Sequence, residues 1–154
     1  MMRMLREKLG RLLGRRPVSM QVAALCLDPG TGRVLLITSR GSGRWIIPKG
    51  WPMTGRTLAE AALQEAWEEA GVRTDRPLRE LGSYRYRKKQ DRGFGIPVEA
   101  RIFAVEVSGL ADKFPEAGQR RRRWFAPAQA ADLVDEPELK ALLRRLPAPT
   151  TATA

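Results

Sequence analysis

The chain contains no histidine and only one cysteine. Without histidine, a His-ligated metal site, a Ser-His-Asp triad and a Cys-His dyad are excluded, so carboxylates must do any acid–base work. With one cysteine an internal disulfide is impossible. Cys26 lies in the apolar run Val22-Ala23-Ala24-Leu25-Cys26-Leu27, where a buried filler is expected rather than a nucleophile. Aromatic residues are few, at 6%, and no motif of a nucleic-acid-binding module is present. Nucleic acid is therefore a disfavoured partner, although Tyr84 and Tyr86 stand among basic residues where stacking on bases is conceivable. No apolar run approaches the roughly 20 residues that span a bilayer, and no apolar leader precedes a small-residue cleavage site. A soluble, cytoplasmic protein is expected.

Acidic residues are scarce relative to basic ones, 17 against 28, for a net charge of +11. Such an excess steers anions toward the surface, and polyphosphates, nucleic acid and anionic lipid all qualify. A length of 154 residues suits one compact domain with a real core. That domain is expected over 19–146. Residues 1–18 form a basic extension with Met1, Met4, Leu5, Leu9, Leu12 and Leu13 at helical spacing. The extension is expected to pack on the domain or fray, with contact to an anionic membrane as the other possibility. Residues 147–154, rich in Pro, Thr and Ala, are expected to be disordered.

Strand and helix signals alternate along the domain. Residues 21–27 and 33–38 read as strands joined by the turn Asp28-Pro29-Gly30-Thr31-Gly32, and 44–47 as a short strand before a loop. Further strands are expected at 78–87, 98–107 and 122–125, and helices at 127–133 and 137–146, with Pro127 and Pro137 in their first turns. The fold class is α/β, with a mixed sheet between helices.

The most informative stretch is 48–72. After Pro48-Lys49-Gly50-Trp51-Pro52-Met53-Thr54-Gly55-Arg56 the residues up to Ala70 are mostly good helix formers; Thr54 or Thr57 can cap the start, and Gly71 suits a left-handed stop. At roughly 100° per residue, Glu65, Glu68 and Glu69 fall within an arc of about 100°, while Ala59, Ala62, Leu63, Ala66, Trp67 and Ala70 group elsewhere. Like charges three and four residues apart cost a few tenths of a kcal/mol each, and the helix has no lysine or arginine on that face. A hard divalent cation such as Mg²⁺ reverses the sign of that interaction. For an isolated acidic helix, a solvated face is the ordinary explanation.

The spacing resembles the signature of the Nudix hydrolase family: Gly, five residues, Glu, seven residues, then Arg-Glu-U-x-Glu-Glu-x-Gly-U, with U apolar. In register stand Gly50, Arg56 and Gln64-Glu65-Ala66-Trp67-Glu68-Glu69-Ala70-Gly71-Val72, matching seven of nine defined positions. The resemblance implies an α/β/α sandwich, the Nudix fold, over about 19–146. It also implies Mg²⁺, with Mn²⁺ as an alternative, held by Glu65, Glu68 and Glu69 with the carbonyl of Gly50. Two positions depart together: the first Glu is Arg56 and the Arg is Gln64. Losing both members of a pair leaves no uncompensated charge, and Gln64 still donates a hydrogen bond. The departures are read as tolerated; they also motivate the alternative of a catalytically weak polyanion-binding module.

Shorter pieces resemble the branch containing diphosphoinositol polyphosphate phosphohydrolases and diadenosine polyphosphate hydrolases: Ser39-Arg40, Arg44-Trp45-Ile46-Ile47-Pro48, the Lys49 of Pro-Lys-Gly, and Arg120 to Arg123 before Trp124-Phe125. By that resemblance Ser39, Arg40, Arg44, Lys49, Arg85, Arg87 and Arg122 meet an anionic polyphosphate substrate. Strand alternation places Arg120 and Arg122 on one face and Arg121 and Arg123 on the other, so at most two share a pocket wall. Family members often carry another carboxylate, sometimes the general base, on a later loop, and Glu116 in Phe114-Pro115-Glu116-Ala117-Gly118 is the candidate, with an exposed loop acid as the ordinary alternative. The expected activity is Mg²⁺-dependent cleavage of phosphoanhydride bonds. Oligomeric state has no signature in the sequence.

Overall fold

A computed structural model describes residues 18–89 and 95–150. The N-terminal extension, and with it the possible membrane contact, lies outside the described residues apart from Val18. Nine strands are present among the described residues: β1 (Ser19–Leu27), β2 (Val34–Thr38), β3 (Trp45–Ile46), β4 (Lys49–Gly50), β5 (Val72–Arg73), β6 (Arg79–Lys88), β7 (Ile96–Glu106), β8 (Gly109–Leu110) and β9 (Arg122–Phe125). Three helices accompany them: α1 (Leu58–Ala70), α2 (Pro127–Leu133) and α3 (Pro137–Arg144).

The main sheet runs β3-β2-β1-β7-β6, with β4 added on β1 and β9 on β2. β1 and β7 are parallel and the other pairs antiparallel, so the sheet is mixed. The central strands β1 and β2 are buried on both faces along most of their length. Ala24, Cys26, Leu35 and Ile37 pack with Ala66 and Ala70 of α1. Ala23, Leu25, Val34 and Leu36 pack with Ala130, Ala131, Leu139 and Leu143 of α2 and α3. Helices thus cover both faces, as the α/β/α expectation requires.

β1 changes partner along its length. Near its end Leu27 pairs with Val34 of β2, whereas Val22 and Ala23 pair with Gly50 and Lys49 of β4. This fork inserts the Pro48-Lys49-Gly50 segment into the sheet directly beneath α1. The helix comes close because its inner face is alanine: Ala61, Ala62, Ala66 and Ala70 are fully buried. Ala61 also belongs to that face, Ala59 packs at its edge partly buried, and Trp67 is only half-buried. The indole of Trp67 instead lies 5.0 Å from the Arg73 guanidinium.

The expected helix boundaries hold within a residue at 127–133, while the last helix ends at Arg144 rather than 146. Of the tail expected to be disordered, residues 147–150 are described, with the Thr150 amide donating to the Thr31 carbonyl at 3.0 Å; residues 151–154 lie outside the described set. Tyr84 is a correction. It is fully buried, stacked on Tyr86 at 5.8 Å, and is inaccessible to a base. Cys26 is buried as expected, and burial, with Glu69 as a smaller cause, pushes its thiol up to about 12.

Candidate metal and polyphosphate site

The site starts at the first turn of α1. Thr57, not Thr54, caps it: its hydroxyl accepts from the Glu60 amide at 3.1 Å, and the Glu60 carboxylate accepts from the Thr57 amide at 3.0 Å. This reciprocal pair satisfies two of the free amides at a helix start. At the other end Gly71 adopts φ 68°, a conformation that favours glycine. The cap fixes the phase of the helix, and with it the direction of the three carboxylates.

Glu65 faces β4. A methyl group at Gly50 would overlap its carboxylate, so the absence of a side chain at Gly50 is what lets Glu65 lie against the β4 backbone. Burial first, then Glu69, Glu68 and Glu116, push the Glu65 carboxyl up to about 7. Glu69 is 8% exposed and accepts from the Lys49 amide at 3.1 Å. Burial pushes Glu69 up to about 7 as well, against the opposing pull of Arg120 and the Lys49 amide. Glu68 accepts from the Gln64 side-chain amide at 3.0 Å. Gln64 thus makes the hydrogen bond to a neighbouring carboxylate that its side-chain amide allows, and Arg56 stays exposed.

A fourth carboxylate joins from the segment after β8. Glu116 donates its amide to the Glu68 carbonyl at 3.0 Å, and its side chain is 18% exposed. The Arg120 guanidinium lies 3.1 Å from Glu116 Oε1 and 3.5 Å from Glu69 Oε1, which brings the loop acid beside the helix trio. From the sequence Arg120 was read only within the Arg120–Arg123 run, without a role at the carboxylates.

The basic residues singled out from the sequence divide into groups. Arg40, 60% exposed, lies 3.4 Å from Glu116 and also donates to Gln119 at 3.1 Å; it borders the carboxylates. The Ser39 hydroxyl is engaged with Ser42 at 2.6 Å. Lys49 contributes its amide to Glu69, while its ammonium sits 5.2 Å from the Tyr86 ring centre. Burial lowers the Lys49 ammonium to about 8, with Glu136 opposing that shift. Arg44 points to the α3 side, its guanidinium 2.8 Å from the buried Glu136 and 3.6 Å from Asp135. The side chain of Arg85 is not tied to a carboxylate among the described residues; its amide donates to Glu138 at 3.2 Å. Arg87 donates to the Gly95 carbonyl at 3.4 Å. Arg122 donates to the Ala70 and Ala111 carbonyls, both at 2.7 Å, closing the C-terminal end of α1. Arg121 lies over Trp45 at 5.4 Å, on the opposite face, as strand alternation requires.

The donor set suits a divalent cation by its chemistry. Four carboxylates gather, two of them with pKa values raised by burial and mutual repulsion, and hard oxygen donors with surplus negative charge match hard cations. As the side chains stand, no three carboxylates among the described residues enclose a common point. Glu68 Oε1 is held by Gln64 and Glu69 Oε2 by the Lys49 amide, while Glu69 Oε1 lies on Arg120, so an ion would take the second oxygen of Glu68 and would draw Glu69 Oε1 away from Arg120.

Fold and box together define a class. A family model described as the NUDIX domain matches residues 18–146, and the chain belongs to the Nudix family. It is 35% identical over 101 residues to Nudix hydrolase 4 of Arabidopsis thaliana, covering 66% of this chain and 47% of that protein. It is 34% identical over 106 residues to the mitochondrial Nudix hydrolase 13 of the same plant, covering 66% and 52%. The chain thus spans about half the length of these relatives. Its fold is similar to that of a mMutator MutT protein from Bacillus halodurans, with TM-score 0.61, 18% identity and coverage of 83% and 81%. It is also similar to a C. elegans Ap4A hydrolase in a binary complex, with TM-score 0.59, 21% identity and coverage of 82% and 93%.

Proposed function

We propose that this chain is a Mg²⁺-dependent hydrolase of phosphoanhydride bonds. Its substrate would be a nucleoside-diphosphate-linked or polyphosphorylated molecule of the diadenosine polyphosphate or diphosphoinositol polyphosphate type. The observation that carries the reading is the placing of Glu65 against the Gly50 backbone and of Glu69 on the neighbouring Lys49 amide, with Arg120 holding Glu116 beside Glu69. Family membership and the box spacing support it, and the Ser39-Arg40, Pro48-Lys49-Gly50 and Arg120–Phe125 pieces support the narrower substrate class.

Glu65, Glu68 and Glu69, with the Gly50 carbonyl, would hold Mg²⁺ or Mn²⁺. When bound, such an ion neutralises phosphate oxygens and makes a coordinated water more acidic. The chain's own residues do the rest. Gln64 and the Lys49 amide hold Glu68 and Glu69 in place. Glu116 accepts the proton of the attacking water, whose oxygen bonds to phosphorus as the bridging P–O bond breaks and the leaving phosphate departs with its electron pair. Arg40 borders the carboxylates and would bind the polyphosphate, and Ser39, Arg44, Lys49, Arg85, Arg87 and Arg122 would take part where the substrate extends. Catalysis on this account is chiefly positioning and electrostatic stabilisation of developing charge.

The test is metal-dependent turnover over a panel of diadenosine polyphosphates, inositol pyrophosphates and nucleoside diphosphate derivatives. Turnover that requires Mg²⁺ and disappears in Glu69→Gln supports the enzyme. Binding of the panel without turnover in the unaltered protein supports instead the polyanion-binding module that Arg56 and Gln64 suggest.

A further inference from the structure

Among the described residues Arg120 alone is a buried cation touching two acids of the site. Its side chain is 8% exposed, its Nε and Nη2 donate to Glu116 Oε1 at 3.3 and 3.1 Å, and Nη2 lies 3.5 Å from Glu69 Oε1. Its Nη1 donates to the Thr38 carbonyl at 3.2 Å. The backbone beside it is pinned to the end of β2. The Thr38 amide donates to the Arg121 carbonyl at 3.0 Å, and the Arg121 amide donates to the Thr38 hydroxyl at 2.9 Å. The guanidinium is therefore delivered by the sheet to a fixed place between an acid of α1 and the loop acid.

Two carboxylates at such depth need a cation, since removing one partner of a buried charge pair leaves the other uncompensated. A divalent ion held by the helix trio needs Glu69 as well, and its charge repels the guanidinium. The two cations compete for the same oxygen, while Glu116 keeps a contact with Arg120 through Nε that Glu69 does not share. We propose that Arg120 is a positioning residue that serves as the site's internal counter-cation. It neutralises Glu69 and Glu116 in the metal-free protein, then yields Glu69 to the entering ion while retaining Glu116, and with it the 112–120 segment, at the site. This inference rests on the metal-site reading above and adds to it a coupling between metal occupancy and the placement of Glu116.

Charge is the quantity to vary. Arg120→Met removes it, Arg120→Gln removes it while keeping a donor for the Thr38 carbonyl, and Arg120→Lys keeps it. Mn²⁺ affinity is measured by calorimetry, with melting temperature recorded in Mn²⁺ and in chelator. A unit charge several ångströms from a divalent ion, screened nearly as in water, changes affinity by about tenfold. Both neutral variants are expected to bind Mn²⁺ about tenfold more tightly than the parent and to lose melting temperature mainly in chelator; Arg120→Lys is expected to return both towards parental values. Should Arg120→Met fail to fold, Arg120→Gln carries the same test. Parental Mn²⁺ binding with unchanged or weaker affinity in the neutral variant, or an equal melting loss with and without Mn²⁺, overturns the role of Arg120 alone. No Mn²⁺ binding by the parent overturns the metal-site reading itself, and the inference with it.

Discussion

Glu65 and Glu69 hold protons more tightly in the folded chain than in an unfolded one, because burial raises both carboxyls from 4.5 to about 7. Stability falls with rising pH wherever the native state binds more protons than the unfolded state. Their contribution is thus fully present below about pH 4.5 and is lost as pH rises through 7. In chelator, melting temperature is expected to fall over that window, and the fall should be weaker in a Glu65→Gln, Glu69→Gln double variant. A melting temperature that rises equally in both proteins would contradict the assignment. Gln64 offers a second test. Losing a partner that orients a metal ligand commonly costs about tenfold or more in affinity or activity, so Gln64→Ala is expected to weaken Mn²⁺ binding about tenfold, read by calorimetry.

The same scale shows where sequence reasoning stopped. The acidic trio was legible because helical spacing alone sets which side chains share a face. The division of labour between Arg120 and Arg122 was not. Alternation places both on the α1 face, but only the register of β9 on β2, with Ile37 opposite Arg122, decides that one reaches Glu69 and Glu116 while the other reaches the carbonyls of Ala70 and Ala111. Tyr84 was misjudged as available for the same reason: its burial depends on α3 packing over β6.

At the scale of elements, α1 was readable from Thr57, Gly71 and the alanine stripe, since caps and periodicity are local properties. β4, β5 and β8 were not, because two-residue strands carry no periodicity and exist only through their partners. β4 matters most, since it sets the Gly50 backbone against Glu65. Gly50→Ala is expected to abolish metal-dependent turnover and lower the melting temperature, while Gly109→Ala, which meets nothing within 4 Å, should leave both nearly unchanged. Circular dichroism melts and a turnover assay on the two variants decide it; equal behaviour would remove Gly50 from the site.

For the whole molecule, a net charge of +11 acts at a distance that no single arginine explains. Attraction of a polyanionic substrate is screened over about 10 Å at 0.1 M salt, and steering affects encounter more than chemistry. Raising salt from about 0.05 to 0.5 M is therefore expected to lower kcat/KM several-fold while leaving kcat nearly constant. An equal fall in both would place the salt effect on the carboxylate site instead. The two-sided sandwich itself was foreseeable from alternating strand and helix signals. Which basic groups line the site was not, because Arg44 turns to Glu136 on the α3 side through contacts between distant segments.

The most direct test of the central claim is anomalous diffraction from crystals soaked in Mn²⁺. A peak within coordination distance of Glu65, Glu68 and Glu69, with Glu69 released from Arg120, is the predicted result. Carboxylates left on their present partners, with no peak among them at saturating Mn²⁺, would contradict it.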